Sequence, residues 1–253
     1  MTSILILLLF GCLSGVTTVL FGFGGGFVTV PVVAAVTSRG DAMHVAVATS
    51  TAVMVVNAVS ATVVQARAGR LRRDYVWPLA AFVAIGAVAG SIAATYAGDG
   101  LLRVLFIAYL AVTIVDSLAR GGFLRLQGQP KPLSTFTTTA GGVGIGTVAS
   151  FLGVGGSVMT VPLLRRKGLP MAEAAAMANP LSVPVAVVAT AVYATAGGGP
   201  SGYLDPIAGV ALLAGSLPTI ALVRRVADRL PDKVHAVAYV GLLAAALIAV
   251  AVS

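Results

Sequence analysis

The chain has 253 residues, of which 58% are apolar and only 9% charged, with a formal net charge of +8. A soluble domain of this size cannot hide that much apolar surface, so the composition calls for a bilayer as solvent. The positive charge does not indicate nucleic acid, because the basic residues sit in short loops between apolar runs with few aromatics beside them.

The first apolar unit covers residues 3–37 and is broken by glycines at 22–26. Residues 3–10 resemble a signal peptide's apolar region, and Leu9-Phe10-Gly11-Cys12 faintly resembles a lipoprotein cleavage site. No Lys or Arg precedes them and the apolar pattern runs on into the glycines, so this stretch reads as part of the mature membrane domain. Further apolar units cover 42–66, 75–97 and 101–118. A connector at 120–134, rich in Gly, Gln and Pro, interrupts the pattern. It then restarts with 135–164, again broken by glycines, followed by 171–196, 204–223 and 234–252. The single Cys12 excludes an internal disulfide and a cysteine-based metal cluster, and His44 and His235 have no ligand-like spacing. No metal or cofactor is expected.

The two halves align residue by residue. Gly22-Phe-Gly-Gly-Gly-Phe-Val-Thr-Val-Pro31 falls on Gly153-Val-Gly-Gly-Ser-Val-Met-Thr-Val-Pro162. Ala46–Ser50 falls on Ala176–Pro180 with one residue deleted, and Ala108-Tyr109 on Ala238-Tyr239. An internal repeat of this kind is a hallmark of transporters.

Lys and Arg accumulate in short cytoplasmic loops. Arg67, Arg70, Arg72 and Arg73 mark one loop as inside, and Arg120, Arg125 and Lys131 mark the connector. Arg165, Arg166 and Lys167 mark a third loop, and Arg224, Arg225, Arg229 and Lys233 a fourth, which leaves only Arg39 and Arg103 for the other side. The loops around Asp41, Asp99 and 197–205 carry acids or no charge. The broken unit 135–164 then has basic loops at both ends, so it enters and returns on the inside as a re-entrant hairpin. The first broken unit does the same from outside, although its arm at 3–21 is long enough to cross almost completely.

The expected fold is therefore an all-α integral membrane protein of two inverted repeats, residues 1–119 and 135–253, joined by a cytoplasmic connector at 120–134. Each repeat is a re-entrant broken-helix hairpin plus three transmembrane helices, about eight segments in all. Both termini are expected outside a cell (inner) membrane. Packing glycines would permit a homodimer.

Irregular backbone at membrane depth is tolerated only where protein or a water-filled cavity covers it, so the two breaks should meet near the midplane. Glycine lets a ligand approach backbone N–H groups closely. Pro31 and Pro162 are expected to start the short helices after the breaks, whose N-termini offer partial positive charge and free donors. Polar clusters at Thr49-Ser50-Thr51 and at Asn179-Pro180-Leu181-Ser182 lie about two turns into the next helices. Asn179 precedes a proline and is expected to leave helical geometry, and Pro180 and Pro184 to weaken the helix around it. The expected substrate contacts are Gly22, Gly24, Gly25, Gly26, Thr29, Thr49 and Ser50 from the first half. Gly153, Gly155, Gly156, Ser157, Thr160 and Asn179 come from the second. Donors and dipoles without a fixed cation favour a small, weakly held anion.

Other residues have plainer readings. Gly86 and Gly90 suit close helix packing. Gly22–Gly26 resembles a dinucleotide fingerprint but lacks the strand–helix context. Asp116 lies one turn before Arg120 and reads as half of a surface pair. Asn57 reads as a helix–helix hydrogen-bond residue, and Tyr75, Trp77, Tyr203 and Tyr239 as interface or packing aromatics. His44 and Glu173, at the mouths of their helices, are candidates for proton coupling.

The doubled Gly-x-Gly-Gly…Val-Pro motif at Gly22–Pro31 and Gly153–Pro162, with Ala48–Ser50 and its counterpart Ala178–Pro180, resembles the sulfite exporter TauE/SafE family, also called the toluene sulfonate uptake permease family. The resemblance covers nearly the whole chain and departs from the pattern at Ser157, where a third glycine is commoner. It implies a membrane carrier that moves sulfite or an organosulfonate, in the outward direction. The absence of a nucleotide-binding motif implies a secondary transporter rather than a pump. A passive anion channel of the same architecture is the alternative. A membrane enzyme would need a nucleophile–base pair or metal site at depth, and the sequence offers neither.

Overall fold

The computed structural model describes residues 2–37, 40–119, 123–124, 129–197, 201–227 and 230–252, and among these it contains helices and turns but no strand. The helices are α1 (Thr2–Phe21), α2 (Gly26–Val36), α3 (Ala42–Arg67), α4 (Arg73–Val76), α5 (Leu79–Thr95), α6 (Asp99–Ala119), α7 (Gly142–Leu152), α8 (Ser157–Arg166), α9 (Met171–Thr195), α10 (Pro206–Ala227) and α11 (Asp232–Val252). A π-helical turn at Thr137–Gly141 leads into α7. The topology markers Arg39, Arg120, Arg125 and Arg229 lie outside the described residues, as does 198–200.

Helix is what an apolar chain must form in lipid, because it satisfies every backbone donor and acceptor internally. Among the described residues, seven helical segments are long and apolar enough to cross a membrane: Ser3–Phe21, Ala42–Arg67, Arg73–Thr95, Asp99–Ala119, Met171–Thr195, Pro206–Val223 and Asp232–Ala251. The first arm, α1, thus has the length and composition of a full span. The helices α2, α7 and α8 have only ten or eleven residues. Large apolar side chains point outward, among them Leu9, Val112 and Ile207, the last 72% exposed. A surface of that kind suits acyl chains rather than water.

Helices from the two halves of the chain interlock. α1 of the first half runs along α10 of the second, and α7 of the second runs along α5 of the first. Lipid tails are as apolar as leucine, so such contacts depend on close van der Waals approach. Glycine provides it here. A β-carbon at Gly86 or Gly90 would collide with the carbonyl of Val143 or Thr147, and one at Gly15 would reach within 2.9 Å of Thr219 Cβ. Gly86 and Gly90 therefore have the packing role expected of them. At the centre α3 packs on α9, with α2 laid against α3 and α8 against α9.

The prolines behave differently from expectation. Pro31 and Pro162 do not start their helices; they lie inside α2 and α8, which begin at Gly26 and Ser157. The glycine breaks end earlier than the prolines, and the ladder begins as Thr29 N–H donates to Gly25 O and Thr160 N–H to Gly156 O. Likewise α9 runs unbroken through Asn179, Pro180 and Pro184. Buried membrane helices carry proline because neighbouring groups can satisfy the carbonyls it leaves free.

Candidate functional site

Each break is made by glycines at positive φ. They are Gly22 (72°), Gly24 (60°) and Gly25 (94°) in the first, and Gly153 (68°) and Gly155 (67°) in the second. Such angles reverse the chain at a cost that residues with a β-carbon would bear. The carbonyls ending the long arms are captured from the second half. Asn179 Nδ2 donates to Thr18 O at 3.1 Å, and the Tyr193 hydroxyl donates to Ser150 O at 3.2 Å. His235 Nε2 lies 2.5 Å from Leu20 O. The short helices then open with N–H groups at Gly26, Phe27, Ser157 and Val158 that have no carbonyl of their own helix to reach.

The two breaks touch. A β-carbon at Gly26 would lie 2.7 Å from the carbonyl oxygen of Gly153. The thioether of Met54, on α3, fills the junction: its Sδ lies 3.3 Å from the β-positions of Gly24 and Gly26 and 2.6 Å from that of Gly155. The central helices close the sides. Gly22 abuts Ala178, Gly153 abuts Val47, and the Gly155 β-position lies 3.2 Å from Ser182 Oγ.

The expected polar residues divide into two groups. Ser50 Oγ, Ser157 Oγ, Thr160 Oγ1 and Asn179 Oδ1 are buried with no protein hydrogen-bond partner, and all four residues are inaccessible. Buried polar atoms left unmatched are costly, and of the nine such side-chain atoms among the described residues these four lie on the elements around one junction, where a ligand would match them. Thr29 and Thr49 are already engaged. The Thr29 hydroxyl donates back to Gly25 O and Gly26 O, and Thr49 Oγ1 accepts from Asp205 N–H at 2.9 Å. Asn57 ties three helices together, donating to Ser14 Oγ and accepting from the Ser216 hydroxyl, and it backs the first break at Gly25. Met54 and Ser14 escaped the sequence reading. A methionine four residues after Ser50, on the same helical face, is the signal that could have found the first.

The family pattern described as Sulfite exporter TauE/SafE matches residues 7–250. The chain belongs to the TauE/SafE family. A relative described as a probable membrane transporter protein, from Haemophilus influenzae, is 28% identical over 184 residues, covering 68% of this chain and 67% of the relative. No solved structure matches the chain. As a TauE/SafE member it is a multi-pass membrane protein of the transporter class.

In this TauE/SafE chain two acidic residues clasp the elements around the site. Asp99, opening α6, accepts from Met43 N–H at 2.8 Å and lies 2.5 Å from His44 Nδ1, while His44 Nε2 lies 3.1 Å from Ala94 O and the ring stacks on Tyr203. Asp232, opening α11, accepts from Met171 N–H at 2.9 Å and from both terminal nitrogens of the buried Arg165. Arg165 also donates to Phe123 O and Leu169 O, so this topological marker is a structural clasp. Glu173 is only half-buried, 3.9 Å from Arg72. Asp116 accepts from Arg166 of α8; its expected partner Arg120 lies outside the described residues. A cleft of about 350 Å³ beside Asp99 and Arg103 reaches Pro31, and one of about 440 Å³ beside Asp116 and Arg166 reaches Pro162.

Proposed function

We propose that the chain is a secondary transporter that exports a small sulfur-containing anion, sulfite or an organosulfonate, through a midplane site formed by the two glycine breaks. The observation that carries this reading is the set of unpartnered buried oxygens of Ser50, Ser157, Thr160 and Asn179 around two contacting helix-opening breaks. Hydroxyl donors from Ser50, Ser157 and Thr160, with N–H groups at the starts of α2 and α8, suit the oxygens of a sulfite or sulfonate. The Asn179 carbonyl suits a protonated oxygen or a water carried with the anion.

In this reading the halves are inverted repeats and both breaks belong to re-entrant hairpins. The exchanged packing of α1 on α10 and α7 on α5 supports a twofold relation, and the loop charges support opposite orientation. The cleft ending at Pro31 then opens outside and the one ending at Pro162 inside. All the site atoms are buried in this conformation, so transport requires one half to rock against the other. His44, locked to Asp99 at the outer mouth, is the proposed proton-coupling group.

The test is labelled-sulfite counterflow in proteoliposomes. Saturable movement competed by an organosulfonate and accelerated by sulfite on the far side supports the carrier. Conductance without counterflow would replace the carrier with a passive pore, and no sulfite or sulfonate movement would remove the anion.

A further inference from the structure

We infer that Met54 is the movable wall of the anion site and sets the size of anion that the site accepts. This rests on the transport reading above. The side chain is wholly buried, and it lies against both breaks. Its Cγ is 2.7 Å from the β-position of Gly24, and its Sδ is 3.3 Å from that of Gly26 and 2.6 Å from that of Gly155. A β-carbon at Gly24 or Gly155 would overlap the thioether, so these glycines clear a space that it occupies.

That space borders both breaks, yet its occupant is apolar and donates nothing. Ser50, with its unpartnered hydroxyl, stands one turn before Met54 on the same face of α3. Ser182 borders the opposite side, 3.2 Å from the β-position of Gly155. An anion settling against Ser50 and the opening N–H groups of α2 and α8 must take the volume of the thioether. Methionine is suited to yield it, being unbranched, with three rotatable bonds and a polarizable sulfur that packs in many geometries. The thioether fills the site when it is empty and swings aside when an anion binds. How far it can retreat along α3, toward Ala58, limits the group carried on the sulfur.

A methionine that only filled the core would respond differently. Shortening it would cost stability and slow all substrates alike. The distinguishing quantity is therefore the ratio of benzenesulfonate to sulfite initial rates, measured in proteoliposomes for wild type, M54A and M54F. M54A is expected to raise the ratio by about tenfold, the scale on which pocket volume discriminates between apolar groups, and M54F to lower it. An unchanged ratio in both variants, with sulfite flux still measurable, overturns the inference. Should M54A fail to insert, M54C in a C12S background decides. The introduced thiol is expected to react with a charged methanethiosulfonate reagent during sulfite exchange and to be protected by saturating sulfite. A thiol that stays unreactive, or that reacts without protection, overturns the inference. Wild type that moves neither anion overturns the transport reading itself, an outcome separate from a wild type that moves both with a ratio indifferent to residue 54.

Discussion

The hydroxyl of Tyr239 donates to the carbonyl of Val158 at 2.9 Å, and Val158 is the residue whose carbonyl Pro162 cannot serve. Proline lacks the N–H that would reach four residues back along α8. A side chain from α11 thus completes the short helix α8 after the second break, and the same ring packs on Phe23 of the first break at 5.2 Å. One tyrosine joins both halves of the site through the defect that proline introduces.

Y239F is expected to leave the Val158 carbonyl buried and unmatched, at a cost of about 1–3 kcal/mol. The measurement is the thermal unfolding midpoint of the purified protein. P162A supplies an N–H for that carbonyl, so Y239F should cost less in the P162A background than alone. Equal costs in both backgrounds would show that the hydrogen bond is not what Tyr239 contributes.

G24V and G155V should abolish sulfite transport while leaving membrane insertion intact. Each adds a branched side chain at positive φ and against Met54. G241A is the control: a β-carbon there has nothing within 4 Å, so flux should match wild type and stability should stay within about 0.5 kcal/mol of it. The readouts are labelled-sulfite flux and the fraction of protein in the membrane.

D232A should be more damaging than R165A. Loss of the carboxylate strands a guanidinium whose side chain is wholly buried, a change worth about 3–5 kcal/mol. Loss of the guanidinium leaves a carboxylate that is 38% exposed and can hydrate. Thermal unfolding of both variants gives the order, and the reverse order would mean that Arg165 acts mainly through the carbonyls of Phe123 and Leu169.

If His44 couples protons to transport, H44Q should remove the response of sulfite flux to an imposed pH gradient. Histidine is the side chain suited to change charge near neutral pH, and this one faces Asp99, the Ala94 carbonyl and Tyr203. E173Q should retain the response, because Glu173 is half-exposed beside Arg72. Flux measured across a series of outer pH values distinguishes the two.

Much of this arrangement was legible in the sequence. The doubled Gly–Pro motif located both breaks, because positive φ within an apolar run needs glycine and leaves a trace in composition. Ser50, Ser157, Thr160 and Asn179 were legible because a polar side chain in a membrane helix needs a reason. What the sequence hid were relationships between distant segments. Nothing local shows that Thr49 is taken by the amide of Asp205, or that Asp99 and Asp232 reach back to cap α3 and α9. The prolines misled because proline favours the first helical turn in isolation, whereas here Tyr239 satisfies the carbonyl that Pro162 frees. Met54 was invisible because a methionine in an apolar helix is ordinary until the glycines around it are placed in space.

The central claim is that the unpartnered oxygens beside the two breaks hold the anion. Equilibrium binding of labelled sulfite to the purified protein, wild type against S157A/T160V, tests it most directly. Wild type should bind saturably, and the double variant, folded by its unfolding midpoint, should bind at least about tenfold more weakly, as expected when charge-assisted hydrogen bonds are removed. Equal affinity in a folded double variant would contradict the account.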